Sequence, residues 1–163
     1  MVDRQSIVVG RHPRATLLRA AALAAAAFLT FRYLLLPIRL EGISMLPSYT
    51  TGTLNFVNTL PYRWRAPRRG DVVAIRMAGR QVMYVKRLVG LPGERIEFEH
   101  GFVQIQGEPL DEPYVRNRGD WNLPGITLGP DEYFVVGDNR GMRIEEHELG
   151  RARRERLVGP LLY

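Results

Sequence analysis

The stretch that most limits what this chain can fold into is TLLRAAALAAAAFLTFRYLLLPI, residues 16–38. A helix that crosses a bilayer needs about 20 mostly apolar residues, and Leu17 to Leu36 supplies that length. Arg19 and Arg32 fall near its two ends, where long cationic side chains can reach headgroups while their stems stay in apolar surroundings. The alanine run shows no polar face, which argues against an amphipathic helix. The apolar stretch also runs on past the alanines to Leu36, longer than the core of a cleavable signal peptide. The expectation is an N-terminal segment 1–15, a transmembrane anchor helix 16–38 and a domain 39–163.

Charge suggests the orientation. Residues 1–40 carry Arg4, Arg11, Arg14, Arg19, Arg32 and Arg39 against Asp3 alone, a net +5 out of the total of +6. By the positive-inside rule, residues 1–15 are cytoplasmic. The domain 39–163 then lies on the periplasmic or extracytoplasmic side of the inner (plasma) membrane, on a single-pass anchor. That domain is nearly neutral, and a nucleic-acid partner would want a basic face on it. The run YRWRAPRR (62–69) reads as a solvated loop, one that at most touches lipid. There is no cysteine, so there is no disulfide framework, thiol nucleophile or Cys-based metal site. No metal site and no cofactor are expected.

From residue 38 onward short runs rich in Val, Ile, Phe and Tyr alternate with Gly and Pro. TLNFVN (53–58), DVVAIRM (71–77), VMYVKRLVG (82–90), RIEFEH (95–100), FVQIQ (102–106) and EYFVVG (132–137) read as strands. EHGF is a hairpin turn with Gly101 at the special backbone position, and LPGERI (91–96) is another turn. GDWNLPG (119–125) reads as loop, and EEHELGRARRER (145–156) as a short turn of helix. The fold class expected is mainly β, a compact antiparallel β domain preceded by one transmembrane helix.

Of 23 basic residues, 22 are arginine, and Lys86 is the single lysine. Arginine stays protonated in a protein, whereas a buried lysine can lose its proton. Strand alternation puts Tyr84, Lys86 and Leu88 on one face and Val85 and Arg87 on the other. Burial there disfavours the ammonium form, which would make Lys86 a general base. The plainer reading is a lysine that snorkels or pairs with Glu94 or Asp138. Ser44, in EGISMLPS (41–48), stands where a short strand meets a Pro-containing turn; a serine in such a turn is usually structural.

Taken together, GISMLPS, RRGDVVAIR, YVKRLVGLPGERI, GEPLDEPYV and EYFVVGDNR resemble, in that order, the signature boxes of type I signal peptidases, membrane-anchored serine proteases with a Ser/Lys dyad. The resemblance spans roughly residues 16–163. It implies a domain of signal-peptidase type that removes N-terminal signal peptides from secretory preproteins, which would be its partners beside membrane lipid. Ser44 would be the nucleophile and Lys86 the general base. The Ser44 N–H would help hold the oxyanion. Some members add a serine hydroxyl two residues earlier; here that position is Gly42, which would complete the oxyanion hole with a backbone or water donor instead. The substrate would add as a strand between Glu41–Ser44 and Gln81–Tyr84. Ile43, Met45, Val82, Met83 and Tyr84 would then line pockets selecting small residues at −1 and −3. Arg87, Gly137, Asp138, Asn139 and Arg140 would be structural supports, with Asp138 pairing with Arg87 and Arg140 with Glu145.

The chain also departs from the family pattern. After GDNR many members continue with a serine that orients the lysine, whereas here the sequence reads GMRIEEHELG (141–150), and neither Gly141 nor Arg143 carries that hydroxyl. The interval from Lys86 to Gly137 is too short for the large second β domain of some members. No histidine fits a triad: His12, His100 and His147 read as surface residues. The resemblance leaves two alternatives, a specialised pilin- or conjugation-type processing protease and an inactive, peptide-binding relative.

Overall fold

A computed structural model describes residues 13–77, 83–147 and 149–162. The apolar segment forms helix α1, Pro13–Tyr33, with no buried side chain along it. At 1.5 Å per residue its 21 residues span about 31 Å, the thickness of a bilayer's hydrocarbon core.

The helix ends sooner than the sequence predicts. Leu35–Arg39 is strand β1, paired antiparallel with β2, Leu54–Asn58, in the register Leu35↔Asn58 to Arg39↔Leu54. Proline explains the switch. Pro37 has no N–H for a helical bond and disfavours helical geometry at Leu36. The helix end is tied down where it stops. Thr59 donates its N–H to Leu34 O at 3.0 Å and its hydroxyl to Tyr33 O at 2.9 Å. Phe31 and Phe56 pack at a ring separation of 6.0 Å.

A short helix, α2 (Pro61–Trp64), leads into β3 (Val72–Arg76) and β4 (Met83–Gly90). There follow β5 (Arg95–Glu99), β6 (Phe102–Ile105), β7 (Glu108–Pro109), β8 (Leu123–Thr127), β9 (Glu132–Val136), β10 (Gly150–Arg153) and β11 (Leu157–Pro160). Besides β1-β2 there are two sheets, β10-β9-β4-β3-β11 and β7-β6-β5-β8, and all pairings are antiparallel. The six strands predicted from the sequence are all present. The interval between Lys86 and Gly137 builds the four-stranded sheet of its own, with β8 falling partly in the predicted loop 119–125. The predicted helical turn 145–156 is instead β10 flanked by two single 3-10 turns, Ile144–Glu146 and Arg154–Arg156. Gly101 has φ +79°, as the predicted hairpin requires, and a Cβ there would fall 2.1 Å from Gly119 O.

The core comprises three apolar clusters. The first joins Leu40, Met45, Tyr49, Val57, Val72, Ala74, Val85 and Leu161 on one face of β3-β4. The second gathers Val73, Ile75, Leu88 and Val135 on the opposite face. The third, around Phe98, Trp121 and Phe134, lies between the large sheet and the four-stranded one.

The YRWRAPRR run is fastened rather than freely solvated. Asp71 Oδ2 accepts from the Tyr62 hydroxyl at 2.9 Å, Arg65 Nη1 at 2.9 Å and Arg68 N–H at 3.0 Å. Burial alone would raise the Asp71 carboxyl, but the Arg65 guanidinium, the Arg68 N–H and the Tyr62 hydroxyl hold it below the ordinary range. The unfolded chain therefore takes up this proton first on acidification. The stabilisation is complete well above the unfolded value of about 3.9 and is lost as pH falls through the depressed folded value. Asp71→Asn should lower stability at pH 7 by about 1–2 kcal/mol and flatten the acid limb, as read by thermal melts from pH 7 down to pH 3.

Candidate active site

Lys86 sits on β4 opposite Val73 of β3 and is 4% exposed. Its face matches the expected alternation: Val73, Ile75 and Leu88 form the cluster on this side, while Val85 belongs to the other. The carboxylates of the plainer pairings are engaged by arginines, Glu94 by Arg69 and Asp138 by Arg87. The lysine's amine instead reaches Ser44. Lys86 Nζ donates to Ser44 Oγ at 2.8 Å, across 42 residues of sequence.

Ser44 is half-buried in the turn that follows Leu40. That turn is closed by Leu46 N–H to Ile43 O at 3.1 Å and Tyr49 N–H to Met45 O at 2.9 Å. The GDNR segment grips it from outside. Asn139 donates its N–H to Ser44 O at 2.9 Å and its side-chain Nδ2 to Ile43 O at 3.1 Å. Gly137 is glycine for space rather than for an unusual φ. A Cβ there would lie 2.2 Å from Ser44 O and 2.6 Å from the His147 ring.

Two buried ion pairs stand behind this seat. Asp138, with no exposure, accepts from Arg87 Nε at 2.8 Å and Nη2 at 2.6 Å, and from Ser48 Oγ at 2.5 Å. Arg140, also fully buried, does not pair with Glu145 as expected. Its partner is Glu112, at 2.6 Å between Nη2 and Oε1, and its Nε donates to Gly137 O at 2.8 Å. Glu145 lies on the surface with Arg143, where it cannot reach a buried guanidinium. Tyr114 joins the two pairs: Arg87 stacks on its ring at 3.8 Å and its hydroxyl donates to Glu112 Oε1 at 2.9 Å. Burial first, then the Glu112 carboxylate, raises the Tyr114 hydroxyl well above its ordinary value. Sequence reasoning gave no role to Glu112 or Tyr114, although an acid and a tyrosine two apart in DEPYV were visible as candidate partners for the GDNR arginine.

His147 is a correction. The sequence places it at the surface, yet it is 6% exposed and meets Trp121 edge-on at 4.9 Å between ring centroids. The aromatic neighbour and the backbone of Gly137 enclose it, and neither was visible as a neighbour in the sequence. His100 is exposed, as expected, whereas His12 falls outside the described residues.

The dyad opens onto a cleft of about 730 Å³. Of the residues expected to contact substrate, Ile43, Met45, Met83 and Tyr84 line it, and Val82 lies outside the described residues. Leu36, Ile38, Val85, Met142 and Glu146 also line it and were not anticipated. β9 pairs with β4 only from Arg87 to Gly90, so the β4 edge from Met83 to Lys86 faces the cleft without β9. Among the described residues no acceptor takes the Ser44 N–H. The Gly42 N–H differs, being committed to Thr51 Oγ1 at 3.2 Å. Gly141 and Arg143 are both exposed. The backbone of Lys86 is fixed by its strand, paired with β3, and the side chains of its neighbours Val85 and Arg87, 8% and 5% exposed, are buried on the opposite face. Among the described residues no cluster of His, Asp or Glu suits a metal ion.

Removing one charge of the buried pair should be costly, because the other is left uncompensated. Glu112→Gln should lose about 3 kcal/mol of stability, measured by urea denaturation, whereas Glu145→Gln should change it by under about 0.5 kcal/mol.

Comparison with known proteins places the chain in a family. A family model described as signal peptidase, peptidase S26, matches residues 14–160. Signal peptidase I of Bacillus caldolyticus is 34% identical over 133 residues, covering 73% of this chain and 72% of the relative. Signal peptidase I of Bacillus amyloliquefaciens is 35% identical over 153 residues, covering 86% and 79%. Signal peptidase I T of Bacillus subtilis is 33% identical over 144 residues, covering 82% and 75%. With a part-buried serine–lysine contact opening onto the cleft and a family match along nearly all of its length, the chain belongs to the signal peptidase family, peptidase S26, and is a serine peptidase.

Proposed function

We propose that this peptidase removes signal peptides from secretory preproteins at the outer face of the inner (plasma) membrane, with Ser44 as nucleophile and Lys86 as general base. The observation that carries the assignment is the 2.8 Å contact from Lys86 Nζ to Ser44 Oγ on a lysine 4% exposed. A buried amine keeps its charge at a cost. In its neutral form Lys86 takes the Ser44 proton as Oγ attacks the scissile carbonyl. The tetrahedral oxyanion is held by the Ser44 N–H. Lys86 then returns the proton to the leaving amine, which departs as the new N-terminus of the mature protein. A water, deprotonated by the same lysine, hydrolyses the acyl ester and restores Ser44.

The substrate binds as an added strand along the β4 edge at Met83–Lys86, opposite Glu41–Ser44. Met45 and Val85, both in the first core cluster, and Leu36 and Ile38 beside them form a wall that favours small apolar residues at −1 and −3. β1 follows α1 with one intervening residue, so this wall lies close to the membrane surface, where a signal peptide's cleavage site emerges. Arg4, Arg11 and Arg14 support the orientation in which the segment 1–15 is cytoplasmic.

Incubating the detergent-solubilised protein with a preprotein carrying an Ala-X-Ala site should give cleavage. Ser44→Ala and Lys86→Ala should each reduce kcat/KM by at least about a thousandfold. Lys86→Arg keeps the charge but cannot act as base, and should be as inactive as Lys86→Ala; substantial activity in that variant would refute the dyad. In intact cells, externally added protease should reach residues 39–163, and protection of that domain would overturn the orientation.

A further inference from the structure

Tyr84 and Lys86 border two cavities. One is the cleft described above. The other, of about 300 Å³, lies on the opposite face of the five-stranded sheet. Its apolar wall is Ile75, Val135, Leu149 and Ala152, and Arg151 and Arg156 stand beside it. Both arginines are exposed. Arg151 lies 3.4 Å from Glu132, but among the described residues that line the cavity there is no carboxylate.

The course of β9 determines what this cavity faces. A strand added along β4 has room from Met83 to Lys86, and from Arg87 onward that edge is taken by Val136. A substrate whose upstream residues occupy the free edge must therefore leave the plane of the sheet just past the scissile bond. On the Val85 face that exit is filled. Arg87 and Asp138 are 5% and 0% exposed there, and Tyr114 covers the guanidinium. On the Lys86 face the second cavity opens beside the base itself.

We propose that this cavity receives the first residues on the mature side of the cut, and that Arg151 and Arg156 make it favour acidic side chains there. The proposal rests on the peptidase reading and on the upstream residues lying along β4. It gives Arg151 and Arg156 a part in specificity without contact to the reacting atoms. Partly exposed charge pairs are individually modest, about threefold in affinity each, so two arginines acting together give roughly tenfold.

The test uses peptides with a fixed Ala-X-Ala site and two acidic, two neutral or two lysine residues directly after it. A second series varies charge only at −2, because alternation along a strand puts that side chain on the Lys86 face. For the parent chain, kcat/KM should be about tenfold higher with the acidic pair than with the lysine pair. Arg151→Gln with Arg156→Gln should bring that ratio near one, and the double change to Glu should invert it. The −2 series should show little charge preference. A ratio near one in the parent, a ratio indifferent to the arginines, or a preference that follows −2 instead overturns the proposal. Cleavage of the neutral peptide that vanishes in Ser44→Ala establishes the peptidase reading separately, so a flat ratio then counts against the cavity alone. If the neutral peptide is not cut, the peptidase reading fails. Fluorescence anisotropy of the labelled acidic and lysine peptides on Ser44→Ala still decides the cavity, by whether binding follows the same order.

Discussion

Asp138 is the carboxylate on which the active site's assembly depends. One side chain, without exposure to solvent, binds Arg87, the neighbour of Lys86 on β4, and Ser48, in the same turn as Ser44. It thus joins the strand that carries Lys86 to the turn that carries Ser44. Its flanking residues complete the join, since Gly137 lets the segment approach Ser44 O and Asn139 bonds the carbonyls of Ile43 and Ser44. A buried ion pair is not a strong source of net stability. What it supplies here is register: Ser44 and Lys86 lie far apart in sequence, and the contact between them has to be closed by something that belongs to neither.

The second pair, Arg140 with Glu112, extends that register into the four-stranded sheet. Tyr114 stacks on Arg87 and bonds Glu112, so the two carboxylates and two guanidiniums form one connected unit. The interval between the lysine strand and the GDNR turn therefore does more than connect them. It returns a carboxylate and an aromatic ring to the underside of the site. This bears on the missing family serine. The strand that carries Lys86 is fixed on one flank by β3 and at Arg87 by this charge unit.

Much of this was legible in the sequence. Six strands followed from Val, Ile, Phe and Tyr runs between turn residues, because period-two burial is a local signal. The dyad followed from the oddity of one lysine among arginines, joined to ordered motifs. The failures share a cause: each depended on a partner that local pattern does not reveal. The apolar Leu34–Leu36 extends the helical pattern toward residue 38, but Pro37 and the facing β2 turn that stretch into a strand. Sequence proximity offers Arg140 the nearby Glu145, although a fully buried guanidinium needs a buried carboxylate, and Glu112 lies upstream of both β8 and β9. His147 looks like a surface residue beside two glutamates, and only the folded chain brings Trp121 and Gly137 around it.

Proton exchange between Lys86 and Ser44 during turnover is the central claim, and the composition of the chain allows it to be observed directly. Because Lys86 is the single lysine, labelling lysine with ¹⁵N at Nζ gives one side-chain resonance, that of the proposed base. Its chemical shift can be followed with pH in detergent alongside kcat/KM for a signal-peptide substrate. The resonance and kcat/KM should titrate together, with activity rising as the amine loses its proton. A lysine resonance that remains that of the ammonium throughout the pH range in which the enzyme is active would contradict the claim.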